Sequence, residues 1–181
     1  MLALLPPEET RRLGKEAGID DDLVNVNAFR ALINNPGAAA GAHRLLTALM
    51  FHNQLPARTR ELVILRTGWR TGSEYEFCQH VRVSRNLKLS EDEILGVRDP
   101  DRCAAYSEVD RAVIRMADEL HERAEVSPAT WAVIEKAFPP NQLVELLLAS
   151  GFWRMIAGFL KTAKVKLDDD VPGWPEGKAP A

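Results

Sequence analysis

Apolar residues along this chain recur mostly at three- and four-residue steps, the period of a helix with one buried face. No segment alternates apolar and polar positions between turn residues, so no strand is required and the pattern predicts an all-α fold. A first helix opens at Pro6-Pro7-Glu8-Glu9, where prolines fit the first turn and acids suit a helix N-terminus, and Gly18 closes it. After a solvated acidic turn, Asp20–Asp22, the positions of Val24, Ala28, Phe29, Leu32 and Ile33 predict a helix over 23–34. Asn34-Asn35-Pro36-Gly37 stops it, and Pro36 starts another that runs through Leu45, Leu46 and Met50 to about Phe51.

Pro56 suits the first turn of the next helix. Later starts are marked by Ser90–Glu93, a capping box, and by the similar Ser107–Asp110. Between them Asp99-Pro100-Asp101 makes a turn. Ser127-Pro128 opens a further helix holding Trp131, Ile134 and Phe138, which Pro139-Pro140 breaks. The last helix, from Asn141 to about Val165, is apolar enough in its first half to pack on the core or on a neighbouring subunit. The expected organisation is one helical domain over 1–167 and an extended tail over 168–181. Trp174 either docks on a surface or stays in solvent.

The chain is organised around Arg60–Ser84, which reads as two helices joined by a bend at Thr71-Gly72. On the first, Glu61 shares a side with Leu65 and with Gly68 and Trp69. The second starts after Gly72 with Ser73 as its cap, and Ser73, Glu76, Phe77, His80 and Ser84 fall on one face. An antiparallel pairing of these helices lets Glu61 approach His80. A carboxylate beside an imidazole, half screened from water, is equipment for proton transfer. A solvated face with a Glu–His pair is the plainer alternative. His43 and His52 are more simply structural, with His52 the better functional candidate because it precedes the loop into the central stretch.

The run Glu61–Arg70 is echoed by Glu145–Arg154, which aligns Glu61 with Glu145 and Trp69 with Trp153. Both a duplicated helical unit and two similar buried helices account for this. The second copy has no matching His, so a true repeat would give the Glu a helix-packing role in both copies, Glu61 included.

Composition excludes more than it identifies. With 46% hydrophobic and 27% charged residues among 181, the chain can build a core, and its net charge of −3 argues for neither a nucleic acid nor an acidic membrane as partner. No apolar run approaches the roughly 18–20 residues of a membrane span. Met1–Pro6 is apolar but short and lacks a basic lead. Cys78 and Cys103 match no metal or redox spacing, though a bridge between them is open. A reducing cytoplasm fits these features best, and no metal site is expected.

Three pieces together, Arg60-Glu61-Leu62-Val63-Ile64-Leu65, then Tyr75-Glu76-Phe77 with His80, then Leu89–Ile94, resemble the carboxymuconolactone decarboxylase family, within the alkylhydroperoxidase D-like superfamily. The clear resemblance covers about Phe51 to Val97. It implies that superfamily's helical fold and homo-oligomers, trimers or hexamers. The peroxidase branch carries a Glu, a Cys-x-x-Cys pair and a His four residues on. Glu61 and His80 stand in those places here, but Ser73 and Glu76 hold the cysteine positions. Disulfide exchange needs two thiols, which these residues do not supply. Cys78, two residues past the second position, reads as a small packed hydrophobe.

By resemblance the decarboxylase branch needs no cofactor and acts on a small lactone acid, with His80 and Glu61 as catalytic residues. Ser73 and Glu76 then lie on the substrate side. Arg66 either clamps a substrate carboxylate or pairs with Glu61 or Glu76. Trp69, Tyr75 and Phe77 wall an apolar pocket or belong to the core. Beside this lyase reading stand a peroxide reductase and a non-catalytic oligomeric binding protein.

Overall fold

The helix Ala57–Thr71 is buried from Thr59 through Gly68, and the rest of the molecule is packed around it. The structure is a computed structural model that describes residues 2–180; Met1 and Ala181, the outer ends of the apolar N-terminal stretch and of the tail, lie outside the described residues. In chain order the helices are α1 (Pro7–Glu16), α2 (Asn27–Leu32), α3 (Pro36–Phe51), α4 (Ala57–Thr71), α5 (Glu74–Asn86), α6 (Glu91–Gly96), α7 (Glu108–Arg123), α8 (Pro128–Ala137) and α9 (Pro140–Ala163). No strand occurs among the described residues, as the apolar period requires. α4 packs on α5, α7 and α9, and α8 closes against α7.

The starts of several helices are set locally. Asn35, Ser90, Ser107 and Ser127 each accept a backbone N–H of the following turn, and Ser90 and Ser107 form full capping boxes with Glu93 and Asp110. Arg58 in the first turn of α4 then bonds both box acids, Glu93 at 2.6 Å and Asp110 at 2.6 Å. One side chain thus fastens the starts of α6 and α7 to the central helix.

The helix expected over 23–34 is shorter. Residues 21–25 form turns and α2 begins only at Asn27. The reason is tertiary: the Asn27 backbone N–H donates to Asp168 Oδ1 at 2.8 Å, and that of Ala28 to the Tyr75 hydroxyl at 3.1 Å. Two orphan donors at the helix start are capped from distant parts of the chain.

The tail docks. Val171 is buried, and Trp174 packs against Phe77 and Trp69 with ring centroids 5.1 and 5.8 Å apart. The Arg98 guanidinium lies 5.1 Å from the Trp69 ring and donates to the Pro175 carbonyl at 3.1 Å.

α9 corrects the expectation about membrane-length segments. Over its 24 residues it is long and apolar enough to cross a membrane. Isolated polar residues such as Ser150 interrupt its apolar runs. In this fold Leu146, Phe152, Trp153 and Leu160 are buried, whereas Val144, Leu148 and Met155 are about half exposed.

Candidate active site

α4 and α5 form a tight antiparallel hairpin. Gly72 ends α4 in the left-handed conformation, φ +62°, and the Ser73 N–H returns to the Gly68 carbonyl at 3.0 Å. At Gly68 any Cβ would sit 3.0 Å from the Phe77 backbone nitrogen, so the close approach of the two helices depends on glycine there. Ser73 occupies the N-cap position of α5, but its side chain makes no capping bond and its hydroxyl is buried without a partner.

The hairpin brings the expected pair together. His80 Nδ1 lies 2.7 Å from Glu61 Oε2, and Glu61 is fully buried. The other Glu61 oxygen accepts from Arg60 Nε at 3.0 Å, while Arg60 also donates to the Met50 carbonyl at 3.0 Å. Burial pushes the Glu61 pKa up, but the charge and hydrogen bond of His80 and those of Arg60 outweigh it, and the net direction is downward. Glu61 is therefore held as a carboxylate with both oxygens engaged.

The far side of the imidazole meets α9. Trp153 Nε1–H donates to His80 Nε2 at 3.0 Å, with the rings edge to face. An indole N–H can only donate, so Nε2 is the acceptor and the His80 proton sits on Nδ1, pointing at Glu61. The result is a hydrogen-bonded row, Arg60, Glu61, His80 and Trp153, in which His80 alone is partly exposed.

His80 and Trp153 form part of the wall of a cavity of about 260 Å³ enclosed by α2, α3, α5 and α9. The wall is largely apolar, with Phe29, Leu46, Met50, Phe152 and Ile156 prominent. Its polar members come mostly from α5: Tyr75, Glu76, Gln79, His80 and Arg82. Tyr75 and Gln79 both donate to Asp168 Oδ2 at 2.5 Å, which ties the root of the tail to the cavity wall. Burial and the bond to Asp168 raise the Tyr75 pKa, so it remains a phenol. Arg82 is paired with Asp170 at 2.6 Å and donates to Gln79 Oε1 at 2.7 Å. Glu76 is 2% exposed, both its oxygens lack a partner, and burial alone raises its pKa well above the ordinary carboxyl value. Burial thus favours the protonated, uncharged form of Glu76.

Several expected site residues lie elsewhere. Arg66 pairs with Asp118 on α7 at 2.7 and 2.8 Å and donates to the Val97 carbonyl at 2.5 Å; it meets neither Glu61, Glu76 nor the cavity. Trp69 and Phe77 point to the opposite side of the hairpin, into the core under Trp174. Ser73 borders a different groove, beside Lys161 and Lys164. Of the proposed pocket aromatics only Tyr75 lines the cavity. His52 is exposed at the end of α3, and His43 is buried against Asp20 and Thr47. A larger groove of about 760 Å³ runs between α4, α7 and α9 past Arg70, His121 and Arg154, but contains neither Glu61 nor His80.

Cys78 and Cys103 are free and buried in one hydrophobic cluster, and burial pushes the Cys78 thiol up to about 12. Neither lines the cavity. Among the described residues no group of three or more His, Cys, Asp or Glu is placed to hold a metal.

Sequence reasoning missed Trp153, Gln79 and Asp168 as parts of the site. The echo of Glu61–Arg70 in Glu145–Arg154 was the available signal for Trp153. The two copies diverge in use. Glu145 caps the backbone N–H groups of Gln54 and Leu55 at 3.0 and 2.6 Å, whereas Glu61 orients a histidine.

No curated protein sequence matches the chain. Solved structures do match in shape. A protein of unknown function from Agrobacterium tumefaciens aligns with TM-score 0.71 at 20% identity, over 76% of this chain and 94% of that one. An uncharacterized peroxidase-related protein from Silicibacter sp. TM1040 aligns with TM-score 0.75 at 17% identity, over 93% and 91% of the two chains. The debrominase Bmp8, solved as a cysteine-to-alanine variant in complex with 2,3,4-tribromopyrrole, aligns with TM-score 0.75 at 11% identity, over 93% and 92%. At these identities the likeness is one of fold. The model of the carboxymuconolactone decarboxylase family matches residues 36–119, a span that holds Glu61, Glu76 and His80. Over that span the chain is similar to the carboxymuconolactone decarboxylase family, and its helices take the fold of AhpD-like proteins.

Proposed function

We propose that the protein is a cofactor-independent proton-transfer enzyme, a lyase or isomerase of a small lactone, keto or carboxylated molecule, with His80 and Glu61 as its catalytic residues. The observation that carries this is the 2.7 Å contact between His80 Nδ1 and buried Glu61, made at the wall of an apolar cavity. Glu61 fixes the imidazole and stabilises the imidazolium that forms when Nε2 takes a proton. For Nε2 to act, the Trp153 N–H must give way to the substrate. The bound molecule then loses a proton, or carbon dioxide, from the carbon beside its carbonyl. The electron pair moves onto the carbonyl oxygen, and the imidazolium returns a proton to carbon.

A thiol-based peroxide reductase is the weaker reading. Both sulfurs lie in the core, and Cys78 is held as a thiol by its burial. The apolar stripe Val144, Leu148 and Met155 on the outer face of α9 supports self-association as a homo-oligomer, which sedimentation of the wild type and of Leu148→Glu measures.

The catalytic reading is tested on β-keto acids, ring ketones and γ-lactone acids in D2O, following carbon dioxide release and deuterium uptake by NMR. His80→Gln and Glu61→Gln are expected to abolish turnover while the circular dichroism spectrum is unchanged. Turnover that survives both substitutions removes the proposal. Hydroperoxide reduction by the wild type that is lost in Cys78→Ser would install the thiol reading instead.

A further inference from the structure

Among the described polar groups of the cavity wall, Glu76 is the one whose side chain has no hydrogen-bond partner. It stands one helical turn before His80 on α5, is 2% exposed, lines the cavity and has two carboxyl oxygens without a hydrogen-bond partner. A buried polar group left unsatisfied costs free energy that a ligand can return. We propose that Glu76, as a neutral carboxylic acid, donates its O–H to the carbonyl oxygen of an uncharged ring-bearing ketone or lactone, and that the cavity selects such molecules over carboxylates.

Three observations specify the ligand class. The first is charge: Arg82 is the one cation among the described lining residues, and Asp170 and Gln79 already engage it. A carboxylate entering this wall would find no free cation and would lose its hydration. The second is chemistry. A protonated acid donates one hydrogen bond, and burial of Glu76 keeps it protonated. The third is size. The cavity, about 260 Å³, exceeds the roughly 150 Å³ that holds a benzene molecule, so it suits a substituted ring or a small bicycle with apolar edges.

The inference rests on the cavity beside His80 being the substrate site and narrows the proposed chemistry to enolisation. His80 Nε2 removes the proton from the carbon next to the carbonyl. The C–H electron pair forms a C=C bond to the carbonyl carbon, the C=O π pair moves onto oxygen, and the enolate oxygen is held by the Glu76 O–H, which keeps its proton. The imidazolium then returns the proton to carbon, so nothing is consumed and no oxidant or reductant is needed.

Infrared difference spectroscopy on the full chain tests this with carbonyl-labelled acetophenone and benzoate as probes. The wild type is expected to show a protonated-carboxyl band at neutral pH that is missing in Glu76→Gln. Acetophenone should shift that band and lower its own carbonyl frequency in the wild type, but not in Glu76→Leu. It should also bind about tenfold or more tightly than benzoate. Absence of the carboxyl band, an unmoved ketone carbonyl at saturation, or equal binding of benzoate overturns the inference, and none of these needs a variant that folds. Deuterium uptake into the acetophenone methyl group is read in parallel. Band shifts without uptake would leave the Glu76 assignment standing and count against the proton-transfer reading of His80.

Discussion

The indole of Trp153 donates to Nε2 of His80 at 3.0 Å, on the opposite side of the ring from Glu61. Both ring nitrogens are thereby assigned by their neighbours, a donor on one side and a carboxylate on the other. Three helices thus agree on one tautomer.

Trp153→Phe keeps an aromatic ring in place and removes the donor. The expected outcome is loss of the single Nδ1–H tautomer, read by nitrogen-15 NMR of the imidazole, with destabilisation of only about 1 kcal/mol. A wild-type spectrum showing the proton on Nε2 would contradict the row of hydrogen bonds. Unchanged nitrogen shifts in the variant would show that Trp153 is no more than packing.

Glu61 sets a pH dependence of stability. Burial raises its pKa, but His80 and Arg60 bring the net value below that of an exposed glutamate. A carboxyl whose folded pKa lies below its unfolded one binds fewer protons when folded. Its contribution is complete above the unfolded value, about 4.3, and is lost as pH falls through the folded value. Urea titrations from pH 6 to pH 3 should therefore show a steeper loss of stability for the wild type than for Glu61→Gln. Parallel curves would mean that the carboxylate is not stabilised by its neighbours.

Arg58 holds two capping boxes at once, and its loss should be felt at both. Arg58→Met retains most of the aliphatic stem and leaves Glu93 and Asp110 without their shared cation. The expected cost is about 2 kcal/mol, or a fall in Tm of about 4–8 °C for a chain of this size. Calorimetry of Arg58→Met beside Glu93→Gln checks it. The two effects should be less than additive, because both break the same bond.

Trp174 gives a test of the separation between core and site. Trp174→Ala uncovers Trp69 and Phe77 and should cost about 1–3 kcal/mol, with faster proteolysis of the tail. The Glu61–His80 pair lies on the other side of the hairpin, so the imidazole nitrogen shifts of this variant should match those of the wild type. Altered shifts would show that the tail reaches the site through the Asp168 bonds to Tyr75 and Gln79.

What the residues disclosed in order along the chain was local. Helical period, the serine caps and Gly72 depend on neighbours within a few positions, and so the helices, their starts and the α4–α5 hairpin were legible. The Glu61–His80 pair was legible too, because a tight hairpin leaves little freedom in how its two helices meet. The rotation of each helix about its own axis was not. That rotation is settled by packing against elements far away in sequence. It turned Arg66 toward Asp118 and Trp69 toward the docked tail, and it brought Trp153 of the last helix to His80. It also set the surroundings of Glu76, where burial in an apolar wall with no partner favours the protonated form.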